Sequence, residues 1–305
     1  MGLVFEGRRP AWVDQELYPF EDRWIPLPGE GLIHHVDEGP PAGTPSAGTL
    51  VFAHGTPTWS FEWRALIRAL SPTHRCLAPD HLGFGLSERP MGAEYTPEAH
   101  AQRFRAWADA LELRDFTLVV HDYGGPIALP LALDDPGRVR GLVLLNTFLW
   151  DARTDPHLAK GGRLMGGRLG LFLYRHFNAS LKLLTPKAYA DRKQLTPRIH
   201  AQYLAPFAGI DSRERVLWAL AYAILGSSDF YAGLWDRRAA LADAPALIVW
   251  GTRDPAFHLP HLARWREALP RAEVVELPVG HWPHEEAPDE VVAAVRRFLE
   301  RGATR

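Results

Sequence analysis

The run Val119-Val120-His121-Asp122-Tyr123-Gly124-Gly125 constrains the fold more than any other part of the chain. The apolar stretch Thr117–His121 ends in an acid and enters a helical pattern, Gly124–Leu133, through two glycines. A strand that turns so sharply into a helix belongs to a β-α-β unit, which builds parallel sheet. The rest of the chain repeats the alternation. Strand-like runs are Gly31–Glu38, Thr49–His54, Arg75–Pro79, Gly141–Asn146, Ala246–Trp250 and Glu273–Leu277. Several are apolar throughout, as strands covered on both faces must be. Helical spacing marks Phe61–Leu70, Pro97–Leu113, Pro260–Ala268 and Pro288–Arg301, the last through Val291, Val292, Val295 and Phe298. The Gly-, Pro- and Ala-rich loop Gly39–Gly48 reads as a hairpin connection between the first two runs. The fold class is α/β, with a mostly parallel central sheet flanked by helices.

The alternation stops between Trp150 and Ala240. That stretch is helical in pattern and rich in aromatics, among them Phe172, Tyr174, Phe177, Tyr203, Phe207, Trp218, Tyr222, Phe230, Tyr231 and Trp235. It reads as a helical cap inserted into the sheet domain. The expected division is therefore a core of residues 1–149 and 241–305 and a cap of residues 150–240. For any single cap aromatic, packing in the cap's own core is a better expectation than contact with a ligand. With 305 residues, 47% of them hydrophobic, a large core is within reach.

The formal net charge of −2, with no basic stripe, argues against nucleic acid as a partner. The lone cysteine, Cys76, cannot form an internal disulfide and reads as a buried, inert thiol. No apolar segment approaches the roughly 20 residues that span a bilayer. Met1–Asp14 mixes Glu6, Arg8, Arg9 and Pro10 without an apolar signal core. The expectation is a soluble cytoplasmic protein, monomeric or homodimeric, without a membrane partner.

Chemistry gathers at strand ends. Asp122 sits where a strand-to-helix elbow lifts a side chain above the sheet, although an acid there, taken alone, is a helix cap more often than a nucleophile. His54-Gly55-Thr56-Pro57 follows the run Val51–Ala53. Its Thr56 amide, with that of Tyr123, is placed to form an oxyanion hole. Asp254 follows the strand ending at Trp250, and His281 follows the last strand. Nucleophile, acid and histidine in this order are the catalytic order of α/β hydrolases. His34, His35, His54, His74, His81, His121, His258 and His284 compete with His281 for that role. His54 and His121 read as supporting residues. No metal-ligand spacing is visible, so neither a metal nor a cofactor is expected.

Together these residues resemble the haloalkane dehalogenase and epoxide hydrolase branch of the α/β-hydrolase superfamily over nearly the whole chain. His54-Gly55-Thr56-Pro57-Thr58-Trp59-Ser60, Asp80-His81-Leu82-Gly83-Phe84-Gly85-Leu86-Ser87 and His121-Asp122-Tyr123-Gly124-Gly125 are similar to its motifs, and Tyr203-Leu204-Ala205-Pro206-Phe207 looks like a dehalogenase cap segment. Asn146 stands where one subgroup carries its acid, so Asp254 fits the subgroup with the acid after the seventh strand.

The resemblance implies an α/β-hydrolase fold, a small hydrophobic substrate, water and a halide ion. Asp122 would form a covalent ester, and His281, oriented by Asp254, would activate water to hydrolyse it. Dehalogenases place a tryptophan after the nucleophile, where this chain has Tyr123. Leaving-group contacts would then fall to Tyr123, Asn178 and Tyr174. Epoxide hydrolysis is the alternative, with Tyr174, Tyr222 or Tyr231 as proton donor. A ligand-binding protein that kept the fold without activity is the alternative from another class.

Overall fold

The computed structural model describes residues 9–303. The charged stretch Met1–Asp14 therefore lies partly, at residues 1–8, outside the described residues. Eight strands form one sheet: β1 (Arg23–Leu27), β2 (Gly31–Glu38), β3 (Thr49–Ala53), β4 (Arg75–Pro79), β5 (Phe116–Asp122), β6 (Val139–Thr147), β7 (Ala246–Gly251) and β8 (Glu273–Leu277). Their order across the sheet is β1-β2-β4-β3-β5-β6-β7-β8. β1 and β2 are antiparallel to their neighbours and the rest are parallel. The matching helices are α1 (Arg64–Leu70), α2 (Pro97–Ala110), α3 (Gly124–Asp134), α4 (Pro156–Gly166), α5 (Arg168–Phe177), α6 (Pro197–Leu204), α7 (Trp218–Gly226), α8 (Ser228–Asp236), α9 (Leu259–Ala268) and α10 (Pro288–Ala303).

The hairpin reading of Gly39–Gly48 is corrected. β2 and β3 do not pair, because β4 lies between them, hydrogen-bonded antiparallel to β2 and parallel to β3. Two apolar runs joined by a short loop look the same in sequence whether they pair directly or admit a third strand. β1 escaped the pattern for a different reason. Its Pro26 cannot donate to a ladder, and the strand survives because it lies at the sheet edge, Pro26 opposite Leu32.

Sequence and structure agree in the interior. Every residue of β5 and β7 is buried, as expected for strands covered by helices on both faces. Thr96 caps α2 by accepting from the Ala99 N–H, with Pro97 in the first turn. Val291, Val292, Val295 and Phe298 bury one face of α10. Between β6 and β7 every element is helical. Of the aromatics there, Tyr174, Tyr203, Phe207 and Tyr231 are buried, whereas Phe172, Phe177 and Tyr222 are exposed. Tyr203 donates to the Glu285 carboxylate, which also pairs with Arg64 of α1, so this segment is fastened to the sheet domain through a buried charged group. No helix of the described residues is long and apolar enough to cross a membrane. Cys76 is buried, and burial pushes its thiol far up, leaving it unreactive.

Candidate active site

Asp122 is the last residue of β5, and its backbone has φ = +49°, a left-handed conformation uncommon for residues other than glycine. The surroundings are tight. A Cβ on Gly124 would lie 2.0 Å from the Ala53 carbonyl oxygen, so the helix could not start so close to β3 with any other residue. A Cβ on Gly55 would lie 2.4 Å from the Asp122 side chain. Thr147 donates its hydroxyl to the Asp122 carbonyl at 2.6 Å where the β5–β6 register shifts. The turn that looked like an elbow in sequence is one, held by a neighbouring strand on each side.

The carboxylate is divided between two tasks. Oδ1 accepts the Thr56 N–H at 2.8 Å, and the Tyr123 N–H also bonds the carboxylate. Oδ2 faces His281 Nε2 at 3.6 Å. On the far side of that ring, Nδ1 lies 2.7 Å from Asp254 Oδ2. The acid can only accept, so Nδ1 carries the proton. Asp254 is itself held by the Ala256 N–H at 2.7 Å and by Asn146 Nδ2 at 2.8 Å. Asn146 in turn accepts the Gly251 N–H at 2.7 Å. Asn146 is a positioning residue that sequence reading noted without assigning it a task. The available signal was a polar side chain closing the apolar run Gly141–Leu145.

These contacts set the charges. Burial disfavours the Asp254 carboxylate, but the His281 charge and the donated hydrogen bonds outweigh it and lower its pKa. Burial also disfavours the His281 cation. The Asp254 charge and hydrogen bond, with Asp122 behind them, reverse that and hold the imidazole up at about 9. Asp122 moves upward, because burial exceeds the pull of His281, His121 and the two N–H groups.

The remaining candidates lie elsewhere or have their polar atoms engaged. The Tyr123 hydroxyl donates to the Leu220 carbonyl of α7 at 2.6 Å. The Tyr231 hydroxyl reaches the Ala223 carbonyl at 3.1 Å, and Tyr222 is exposed. Asn178, left-handed at the end of α5, points its amide toward the Phe207 carbonyl at 3.4 Å. Tyr174 is buried, and its pKa is pushed up to about 12 by burial and by the Asp122 charge despite a hydrogen bond with Ser180. Of the cap tyrosines weighed as proton donors, it is the one electrostatically coupled to Asp122 without a carbonyl partner.

Several of the competing histidines have ring nitrogens engaged within the scaffold. His54 Nδ1 bonds the Gly55 carbonyl while its Nε2 accepts the His81 N–H, and His34 binds Asp80 at 2.8 Å. His121 Nε2 donates to the His281 carbonyl at 2.8 Å. A wide groove opens at the N-terminal strand ends, beside Thr49, Thr117 and Gly141. It is remote from Asp122 by the length of β5, about 20 Å at ~3.3 Å per residue.

Comparison with known proteins identifies the fold and the family. Residues 48–288 match the model of the alpha/beta hydrolase fold. The chain is 36% identical over 288 residues to haloalkane dehalogenase 2 of Mycobacterium tuberculosis (strain H37Rv), covering 92% of this chain and 96% of that relative. It is 35% identical over 297 residues to a cis-3-alkyl-4-alkyloxetan-2-one decarboxylase of Shewanella oneidensis, covering 94% and 91%. Among solved structures it resembles the haloalkane dehalogenase DatA from Agrobacterium tumefaciens C58 at 27% identity and a TM-score of 0.80, covering 92% of this chain and 97% of that one.

Proposed function

Because the chain belongs to the α/β-hydrolase family, as a hydrolase of the haloalkane dehalogenase type, we propose that Asp122 is its nucleophile and that it cleaves carbon–halogen bonds through a covalent alkyl ester. The observation that carries this reading is the division of the Asp122 carboxylate, one oxygen on the Thr56 N–H and the other toward His281 Nε2. Residues 150–240 act as the cap over a core of 1–149 and 241–305, and the substrate is small and hydrophobic.

An ionised carboxylate needs no base to displace a good leaving group from saturated carbon. Asp122 Oδ2 bonds the carbon as the halide departs with the bonding electrons. Water then adds to Cγ of the ester while His281 Nε2 takes its proton. The oxyanion formed on Oδ1 rests against the Thr56 and Tyr123 amides, an arrangement worth roughly 100- to 1000-fold per donor. Collapse expels the alkoxide, which takes the proton from His281, and the carboxylic acid left on Asp122 releases water's remaining proton to solvent. The resting imidazole is too basic for the second step, but esterification removes the Asp122 charge that helps raise it. His281 thus becomes a usable base after the ester has formed.

A second reading is favoured by the decarboxylase relative and by the Tyr123 hydroxyl, which is spent on Leu220. Attack by Asp122 on the ring carbon of an oxetan-2-one would displace a carboxylate that stays tethered to the substrate. Loss of carbon dioxide would then form the alkene and release Asp122, with no halide to hold. Three assays on the purified protein separate the readings: bromide from short dibromoalkanes, alkene from a cis-3,4-dialkyloxetan-2-one, and diol from styrene oxide. Bromide alone supports the dehalogenase reading, alkene the second, and diol the epoxide hydrolase alternative. Silence in all three leaves a ligand-binding protein with this fold.

A further inference from the structure

Behind the candidate triad lies a second acid–histidine cluster that the chemistry above does not use. Glu62, His121 and His284 come from the turn before α1, the end of β5 and the turn after His281. All three are completely buried. His121 Nδ1 lies 3.3 Å from Glu62 Oε1, and His284 Nε2 lies 3.8 Å from Glu62 Oε2. Neither approach makes a hydrogen bond: both carboxylate oxygens, His121 Nδ1 and both ring nitrogens of His284 lack partners. Leaving a buried polar atom unsatisfied costs about 1–3 kcal/mol each, so a cluster of them points to something that fits between them.

The tautomer narrows what that is. His121 Nε2 faces a carbonyl, the backbone oxygen of His281, and must donate to it. With Nε2 donating, Nδ1 is the ring atom that presents a lone pair toward the Glu62 carboxylate, where two acceptors then face each other. A carboxylate and two imidazole lone pairs form a ligand set for a divalent metal ion, and a metal-bound histidine typically donates its other N–H to a backbone carbonyl, as His121 does. Donors about 2.0–2.2 Å from a tetrahedral ion lie roughly 3.3–3.6 Å apart; here two separations are 3.3 and 3.8 Å, and all the ligand atoms lie within 4.8 Å of one another.

We propose that Glu62, with both oxygens, His121 through Nδ1 and His284 through Nε2 form a buried structural site for a divalent ion of the zinc class. The ion ties the turn at Ser60–Trp63 to the loop that carries His281. The ligands lie far apart in sequence, at 62, 121 and 284, so no local motif announces them.

The test uses the full chain expressed with added zinc or cobalt and dialysed against EDTA, since a closed site loads as the protein folds. The expected result is roughly one ion per chain by elemental analysis, with the visible absorption of four-coordinate cobalt in the cobalt form. Glu62→Gln and His284→Gln should each lose it while retaining native circular dichroism. His258→Gln should keep it, which separates this site from the exposed His157–His258 pair. Less than about a tenth of an ion in the unaltered protein overturns the proposal. So does metal that survives in folded Glu62→Gln or disappears in His258→Gln. Should both cluster variants fail to fold, X-ray absorption on the unaltered cobalt protein decides, because ligand distances without imidazole scattering also overturn it.

Discussion

The two buried carboxylate–histidine clusters lie back to back and share His121, yet they are built differently. On the Nδ1 side of His281 the polar contacts close to 2.7–2.8 Å, with Asp254 held by Asn146 and the Ala256 amide, while Nε2 stands 3.6 Å from Asp122. Around Glu62 they stop at 3.3 and 3.8 Å and satisfy nothing. Close, directional contacts set tautomers and pKa values, which proton transfer requires. Open contacts among the same residue types leave room for a cation. Histidine and carboxylate in proximity therefore say little about a task until their separations are known.

The contrast can be broken most decisively at Asp122. Asp122→Ala should lower turnover by about 10⁴-fold or more, since it removes the group that forms the ester. Substantial residual halide or alkene production would place the nucleophile elsewhere. His281→Phe should abolish steady turnover of a haloalkane yet permit a single attack. Intact-protein mass spectrometry should then show the alkyl adduct, and an unmodified mass with a confirmed substrate would sink the two-step scheme.

Asn146→Ala tests how far the tight cluster depends on its supports. Loss of one buried hydrogen bond to a charged group, roughly 1.5–3 kcal/mol, should cut kcat on the order of tenfold with KM little changed. No change in kcat would show that the Ala256 amide suffices to hold Asp254.

The charge coupling gives a pH test. The His281 imidazole should titrate near 9 by NMR in the resting protein. Its value should fall in Asp122→Asn, because a negative neighbour that raised it is gone. An unchanged midpoint would remove the explanation for how His281 becomes a base. The sign for stability follows from the same shift. A folded value above the unfolded one of about 6.5 stabilises fully below 6.5, and that contribution fades as pH rises toward 9. Melting temperature should therefore fall more steeply over that window in the unaltered protein than in His281→Phe.

The smallest effect is expected at Tyr123→Phe. Its hydroxyl bonds Leu220 rather than facing the nucleophile, so a stability loss of about 1 kcal/mol and a change in turnover below roughly threefold should follow. A large drop in halide release alone would show that this hydroxyl turns toward the leaving group during reaction.

Much of the molecule could be read from the chain. Apolar runs marked seven of the eight strands, and the Gly-flanked Asp122 marked the turn. The chain order of Asp122, Asp254 and His281 foresaw three side chains that meet. These features are legible because each is local: periodicity reports burial, glycines report close approach, and a strand's end reports where a sheet presents side chains. Pairing and aim are not local. The insertion of β4 between β2 and β3, the hydrogen bonds of Asn146, the commitment of the Tyr123 hydroxyl to α7, and the meeting of Glu62 with His121 and His284 each join residues tens to hundreds of positions apart. Only packing brings those groups within hydrogen-bond range, and differences of an ångström in their separation determine which of them can pass a proton and which can hold an ion.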